Sequence, residues 1–184
     1  MQRRFVIVTG LPGSGKTTLA AQLAASLDLP MLDKDAILEQ LFDTKGTGDT
    51  VHRRALSRES DAIFQARAAA TLGAILVSFW HQPGMALDSG TSTAWLAGLP
   101  APLVNVHCVC PPTIAAERFI RRARHPGHLD SQRSYLEILQ SLETLASLPP
   151  LHIGPRIEVD TTCPTDLVSV VHCIRTCEAH DQES

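Results

Sequence analysis

A glycine-rich segment near the start of the chain has the composition and spacing of a phosphate-binding loop. Residues 10–17 read Gly-Leu-Pro-Gly-Ser-Gly-Lys-Thr and fit the pattern G-x-x-x-x-G-K-[ST] at every fixed position. Glycines let main-chain N–H groups surround a polyphosphate, Lys16 would reach its β- and γ-phosphates, and the Thr17 hydroxyl would bind Mg²⁺. The predicted nucleoside triphosphate site comprises Gly10, Leu11, Pro12, Gly13, Ser14, Gly15, Lys16, Thr17 and Thr18.

The segments on either side of the loop separate a phosphate site from a chance match. Residues 5–9 are typical of a buried strand, and residues 15–27 predict a helix with Leu19, Leu23 and Leu27 on one face. A helix that begins at the loop directs its free N–H groups and positive dipole end toward an anion. This context favours a phosphate site over an accidental glycine-rich turn.

Two carboxylates follow the second predicted strand, in the run Asp33-Lys34-Asp35. In an open parallel sheet, ligands bind beyond the carboxyl ends of the strands. One carboxylate could join the shell of Mg²⁺, and the other could accept a proton from a substrate hydroxyl or hold that hydroxyl in line with the γ-phosphate. The alternative is structural, because Asp35 could cap the helix that begins at Ala36.

A cluster of arginines lies on the helix predicted after the fourth strand. Arginine suits phosphate because its planar guanidinium makes paired hydrogen bonds and keeps its charge. The alternative is a solvated basic face near a helix C-terminus, where cations are favoured. His125 and His128 follow the cluster and are either substrate contacts or ordinary loop residues. The cluster comprises Arg118, Arg121, Arg122 and Arg124.

Together these motifs resemble the small P-loop kinases, a group with shikimate and gluconate kinases, chloramphenicol phosphotransferase, zeta-toxin-like kinases and polynucleotide 5′-kinases. Shikimate kinase has a D-x-D pair at similar spacing after its loop lysine. The resemblance implies that Asp35 orients or deprotonates the acceptor hydroxyl and that Asp33 binds Mg²⁺ or substrate. It also implies a lid over approximately residues 118–135, from which Arg118 and Arg122 close over ATP.

The third predicted strand departs from the pattern of motor ATPases. Residues 74–80 run into His81 without an acidic residue, and Asp88 comes too late to end the strand. The carboxylates that bind magnesium and act on the substrate would then come from the end of the second strand, as in the small kinases. Trp80 and His81 could line the acceptor pocket, although Trp80 is equally suited to the core.

The remaining candidates are weaker. Arg54 and His125 are further predicted substrate contacts. Residues 160–162, Asp-Thr-Thr, resemble a segment near the adenine in the small kinases. Residues 43–46 match the D-x-x-G pattern of GTPases, but they follow a helical stretch and no [NT]-K-x-D sequence accompanies them.

Size and charge restrict the partners. The chain has 184 residues and a net charge of −3, without a long basic stripe, so long nucleic acid is disfavoured as a substrate. No apolar run approaches the roughly 20 residues that cross a bilayer, and the expected location is the cytoplasm.

The five cysteines show no C-x-x-C spacing, and Cys108 and Cys110 are expected in the core. Oligomeric state cannot be inferred from the sequence.

Apolar runs alternate with amphipathic stretches along the whole chain, which predicts an α/β fold. We expect one domain over residues 1–184 with the three-layer P-loop NTPase fold: a mainly parallel five-stranded sheet, helices on both faces and a small lid. Residues 84–99 suit a broken helix. Strands are predicted at 5–9, 30–33, 74–80, 104–110 and 157–160, and helices at 15–27, 36–42, 52–72, 111–124, 131–147 and 164–177.

The favoured function is transfer of the γ-phosphate of ATP, with Mg²⁺, to a hydroxyl of a small molecule such as a sugar, a nucleoside or an antibiotic. Two alternatives remain open at this point. One is a nucleotide-sugar or polynucleotide 5′-kinase, and the other is a nucleotide-dependent switch or ATPase.

Overall fold

The computed structural model describes residues 3–123, 125–128 and 133–177. Within them five strands form one sheet in the order β2-β3-β1-β4-β5, and every neighbouring pair is parallel. The predicted α/β P-loop fold is confirmed. The strands are β1 (Phe5–Gly10), β2 (Met31–Asp33), β3 (Ala74–Val77), β4 (Leu103–Val109) and β5 (Arg156–Asp160).

The part of the chain that the structure describes has six α-helices, which lie between or after these strands and pack on both faces of the sheet. Two short 3₁₀ turns, Ala94–Gly98 and Pro126–His128, lie in the connections after β3 and after α4. None of the helices in the described ranges is long and apolar enough to span a membrane. The helices are α1 (Lys16–Leu27), α2 (Lys34–Lys45), α3 (Thr50–Ala69), α4 (Pro112–Arg121), α5 (Tyr135–Ala146) and α6 (Leu167–Thr176).

The central strand β1 is buried on both faces, which explains its unbroken apolar sequence. Side chains alternate along a strand, so Val6 and Val8 pack in the cluster with α1 and α6, while Phe5 and Ile7 pack in the cluster with α3. All four are fully buried. This packing holds the carboxyl end of β1, at Gly10, in the middle of the sheet edge.

Several boundaries differ from the predicted ones. Helix α2 begins at Lys34, earlier than predicted, because the Asp33 side chain caps it by accepting a hydrogen bond from the Asp35 main-chain N–H. The sequence analysis had offered Asp35 as the capping residue, and the cap is instead Asp33. The prediction of a broken helix over 84–99 was also wrong for most of that segment, which forms turns before the 3₁₀ turn at Ala94–Gly98.

The region predicted as a lid is only partly described. Helix α4 ends at Arg121, three residues before the predicted end, and Arg124 and residues 129–132 lie outside the described residues. Ser134 begins α5 through a capping box with Glu137, in which each side chain binds the other residue's main chain.

Cys108 and Cys110 are buried thiols, as predicted. Burial raises the pKa of Cys108 to about 11.

Candidate active site

The phosphate-binding loop joins β1 to α1 along a path that glycine alone follows without strain. Gly13 and Gly15 have φ values of 82° and 92°, in the left-handed region. A Cβ on Gly13 would collide with the Ala115 carbonyl oxygen, and one on Gly10 would lie 2.7 Å from the Cys108 carbonyl oxygen. The loop therefore depends on glycine at these positions, as does a loop whose main-chain N–H groups surround a polyphosphate.

Lys16 lies beside the cradle with its ammonium directed at the loop. Its Nζ donates hydrogen bonds to the carbonyl oxygens of Gly10 at 3.0 Å and Leu11 at 2.9 Å. Burial lowers the pKa of Lys16 to about 8, although the nearby carboxylates of Asp33 and Asp35 act in the opposite direction. A phosphate in the cradle would stabilise the charged ammonium and raise this pKa again.

Thr17 and Asp33 form the pair of oxygen ligands that the sequence predicts for Mg²⁺. Thr17 Oγ1 donates to Asp33 Oδ2 at 3.3 Å, and Asp33 Oδ1 accepts from the Asp35 main-chain N–H at 2.9 Å. Burial and the charge of Asp35 raise the pKa of Asp33, while its hydrogen bonds and Arg122 oppose that shift. Hydroxyl and carboxylate oxygens suit Mg²⁺, which takes its other ligands from water and phosphate.

No group of three or more His, Cys, Asp or Glu side chains within the described ranges could hold a metal ion by itself.

One cleft of about 1010 Å³ collects most of the predicted site. Its floor is the phosphate-binding loop, and its walls come from α2, α3, the segment after β3, α4 and α5. The predicted residues that line it are Pro12, Gly13, Gly15, Lys16, Thr17, Thr18, Asp33, Asp35, Arg118 and Arg122.

Arg118 and Arg122 both line this cleft but have different surroundings. Arg118 donates from Nη1 to the Thr161 carbonyl oxygen at 2.8 Å and from Nη2 to that of Thr162 at 3.4 Å. Thr161 in turn donates to the Ser14 carbonyl oxygen at 2.6 Å. Arg122 is instead close enough to Lys16 and Asp33 to lower the pKa of each. Arg118 is thus bound to the loop after β5, while the charge of Arg122 affects Lys16 and Asp33 beside the phosphate-binding loop.

The two histidines after α4 pack against α2. His125 stacks on Phe42, with ring centroids 5.4 Å apart, and its Nε2 lies 3.2 Å from Asp43 Oδ1. His128 places Nε2 3.0 Å from Glu39 Oε1 and lines the cleft, whereas His125 is not among the lining residues. Of the two predicted histidines, His128 therefore lines the cleft and His125 does not.

Two other predicted substrate contacts lie away from the cleft. Trp80 is only 3% exposed, packs in the core with Phe64, and donates from its indole nitrogen to the Val8 carbonyl oxygen at 3.0 Å. The prediction for Trp80 as a pocket residue is therefore wrong, and its alternative as a core residue is confirmed. Arg54 is exposed on α3 and does not line the cleft.

Phe79, which the sequence analysis missed, lines the cleft instead of Trp80. Side chains alternate from Ile75 to Trp80: Ile75 and Val77 belong to one core cluster, and Leu76 and Trp80 belong to the other. Phe79 continues the face of Val77, another lining residue. Period-two alternation was the signal that could have identified it.

A second missed feature is a polar network beside the acidic pair. Lys34 Nζ lies 3.2 Å from Asp61 Oδ1 and 3.3 Å from the Ser57 hydroxyl. Asp61 Oδ1 also accepts from the Thr91 hydroxyl at 2.9 Å, and Thr91 Oγ1 lies 2.6 Å from Ser78 Oγ. Sequence reasoning could not link these residues, because only the packing of α2, α3 and the segment after β3 brings them together.

Comparisons with known proteins agree with this geometry. The AAA_33 family, described as an AAA domain, matches residues 5–145. A shikimate kinase from Corynebacterium diphtheriae is 46% identical over 39 residues, so the match spans 21% of this chain and only 22% of that enzyme.

Two solved structures resemble the whole chain. One, from Chloroflexus aurantiacus and assigned as a kinase, has a TM-score of 0.80 and 31% identity and covers 97% of this chain and 100% of that one. A sugar kinase from Janibacter sp. HTCC2649 has a TM-score of 0.55 and 23% identity over 96% and 94% of the two chains, which shows the fold alone.

Proposed function

The chain belongs to the AAA_33 family and to the small P-loop kinases, and we propose that it transfers the γ-phosphate of ATP to a hydroxyl of a small molecule. The observation that carries this proposal is the meeting of Lys16, Thr17, Asp33 and Asp35 in one cleft. A donor site and a carboxylate for the acceptor are the parts that phosphoryl transfer needs.

On the donor side, the main-chain N–H groups of the loop bind the β- and γ-phosphates, and Lys16 leaves its carbonyl partners to join them. Thr17 and Asp33 are the residues that would hold Mg²⁺, which would neutralise phosphate charge. Arg118, tied to the loop that contains Thr161, helps to shape the nucleotide end of the cleft. The resemblance of residues 160–162 to an adenine-proximal segment supports this division.

On the acceptor side, Asp35 is the proposed catalytic carboxylate. Its place as the second residue of α2 keeps it beside Asp33, and the helix cap is Asp33. Asp35 would hold the acceptor hydroxyl in line with the γ-phosphate and take its proton. Arg122, whose charge lowers the pKa of both Lys16 and Asp33, would stabilise the negative charge that develops during phosphate transfer.

The proposal also covers the domain organisation and the location of the protein. Residues 1–184 would act as one kinase domain, the region around 118–135 would serve as its lid, and the activity would be cytoplasmic.

The test measures ADP release from ATP and Mg²⁺ across a panel of sugars, nucleosides and hydroxyl-bearing antibiotics. We expect release that depends on one acceptor class and that disappears in Lys16→Ala. Lys45→Ala is the matched control, because Lys45 is an exposed lysine paired with Glu59 on the surface. Hydrolysis that no acceptor stimulates would favour an ATPase, and tight nucleotide binding without turnover would favour a switch.

A further inference from the structure

A second cavity, of about 280 Å³, lies beside the start of the phosphate-binding loop and shares only Leu145 with the lining of the cleft. Its volume is near the lower end of the range of about 300–1,000 Å³ that is typical of ligand pockets, so it suits a small molecule. The walls are mostly apolar and come from the segment after β3, the end of α5 and the residues that follow α5. They are Gln82, Leu145, Ala146, Leu148, Pro150 and Leu151.

One face of the sheet forms the floor of this cavity. Thr9 on β1 is in register with His107 on β4, and His107 is in register with Glu158 on β5. Side chains alternate along a strand, so Arg156 shares the face of Glu158, while Ile157 between them packs in the core cluster with α1 and α6. His107 and Arg156 therefore lie on adjacent strands and on the same face, and both line the cavity.

The hydrogen bonds of Thr9 determine which nitrogen of His107 carries a proton. Asn105 Nδ2 donates to the Leu151 carbonyl oxygen at 3.4 Å, which directs Asn105 Oδ1 toward Thr9. Thr9 Oγ1 lies 2.7 Å from this oxygen and 2.9 Å from His107 Nδ1. Because an amide oxygen only accepts, the Thr9 hydroxyl donates its one proton to Asn105, and His107 Nδ1 donates to Thr9. A neutral His107 then has its lone pair on Nε2.

His107 is held in this neutral form by its surroundings. Burial and the charges of Arg156 and Lys16 lower the pKa of His107, against an opposing effect of Glu158. Nε2 is then a hydrogen-bond acceptor. In the part of the chain that the structure describes, no group donates a hydrogen bond to Nε2. This atom therefore suits a ligand that carries an O–H or N–H donor.

Arg156 offers the opposite kind of group to the same cavity. Its Nε and Nη2 lie 3.2 Å and 3.0 Å from Glu158 Oε1, which leaves Nη1 for a ligand. The side chain of Glu158 is 63% exposed, so water weakens this ion pair. No Asp or Glu is among the described residues that line the cavity. A carboxylate would therefore find a cation there and no acidic side chain in the wall.

We propose that this cavity binds a small hydroxycarboxylate. The ligand hydroxyl would donate to His107 Nε2, and the carboxylate would accept from the Arg156 guanidinium. The carbon chain would lie against the apolar wall formed by Leu148, Pro150 and Leu151. This site is separate from the cleft, so the inference goes beyond the proposed kinase function and does not depend on it.

The experiment compares the binding of compounds that differ by one group. Lactate and 3-hydroxybutyrate are compared with propionate and butyrate, which lack the hydroxyl, and with lactamide and 3-hydroxybutyramide, which lack the charge. Excess ADP and Mg²⁺ occupy the phosphate-binding loop, and the ring nitrogen signals of His107 in ¹⁵N NMR report binding. We expect the affinity of each hydroxycarboxylate to be about tenfold or more higher than that of its two partners. Equal affinities, or an Nε2 signal that does not shift, would overturn the inference.

A variant of the histidine tests the contact with the ligand hydroxyl. His107→Ala removes the acceptor, so we expect the preference for each hydroxycarboxylate over the acid without a hydroxyl to disappear in calorimetric titrations. His172→Ala is the matched control, because His172 is an exposed histidine on α6 that does not line the cavity. A preference in His107→Ala equal to that of the wild type would overturn the inference.

Arg156→Gln tests the contact with the carboxylate and answers the question if His107→Ala does not fold, because Arg156 lies at the surface. We expect the acid-to-amide ratio of affinities to fall about tenfold. Arg175→Gln is the control, because Arg175 is an arginine of α6 that does not line this cavity. An unchanged ratio in Arg156→Gln would mean that the carboxylate does not bind Arg156, which would also overturn the inference.

Discussion

The two halves of the cleft are built in different ways. The half proposed to bind the phosphate donor comes mainly from one continuous segment between β1 and α1, of which residues 12, 13 and 15–18 line the cleft. The acceptor half is assembled from α2, α3 and the segment after β3, so that Asp35, Ser57 and Phe79 meet only after folding. A ligand common to many proteins can thus be bound by a local motif, while substrate selection depends on tertiary contacts.

The largest effect is expected from the donor half. Lys16→Ala removes the ammonium that stabilises the transferred phosphate, and we expect kcat/KM for ATP to fall about 10³-fold. Steady-state kinetics with varied ATP measure this, with Lys45→Ala as the matched control. A fall of less than tenfold would mean that the loop does not bind the reacting phosphates.

Asp35→Asn separates the two halves, because it changes the acceptor side and leaves the loop intact. We expect kcat to fall about 10²-fold with ATP affinity nearly unchanged, since the amide still accepts a hydrogen bond but is too weak a base to take the proton. Calorimetric titration with ATP and Mg²⁺ gives the affinity, and acceptor-dependent ADP release gives kcat. Equal losses in kcat and in ATP affinity would mean that Asp35 acts on the phosphate donor and not on the acceptor.

The shape of the loop is tested by Gly13→Ala. The added methyl would collide with the Ala115 carbonyl oxygen, so we expect ATP affinity to fall tenfold or more and the free energy of unfolding to fall by about 1–3 kcal/mol. Gly46→Ala is a close control, because Gly46 has a φ of 77° but open space around its Cα. Similar losses in both variants would attribute the effect to backbone strain alone.

The proposed function gives Arg118 and Arg122 different roles, Arg118 at the nucleotide end of the cleft and Arg122 at the transferred phosphate. We expect Arg118→Ala to raise KM for ATP about tenfold with a small change in kcat, and Arg122→Ala to lower kcat about tenfold with a small change in KM. Steady-state kinetics at saturating acceptor distinguish the two patterns. The reverse assignment would place Arg118 at the transferred phosphate.

The smallest effect is a dependence of ATP binding on pH. The pKa of Lys16 is lowered to about 8 by burial, so the ammonium that binds phosphate is charged below that pH and neutral above it. Bound phosphate raises this pKa, and ATP affinity is therefore expected to be constant below pH 8 and to fall about tenfold by pH 9.5. Titration calorimetry across this pH range measures the change in ATP affinity. An affinity that does not fall would mean that deprotonation of Lys16 does not weaken ATP binding.

The sequence alone predicted the fold class, the parallel sheet and the phosphate-binding loop. Each depends on local patterns: apolar runs, helical spacing, and glycines at positions where a Cβ would collide. The same locality singled out Asp33 and Asp35, at and just after the end of β2, and both line the cleft. Residues whose role depends on the direction of the side chain were harder to predict: of the neighbours Phe79 and Trp80, Phe79 lines the cleft and Trp80 packs in the core.

Tertiary structure decided what surrounds the acceptor. Lys34 and Asp61 are separated by 27 positions, and only the packing of α2 on α3 makes them an ion pair. Arg118 is bound to Thr161 in the same way, through contact between α4 and the loop after β5. Local backbone geometry is encoded residue by residue, whereas the charge state and direction of a side chain depend on neighbours that arrive from distant parts of the chain.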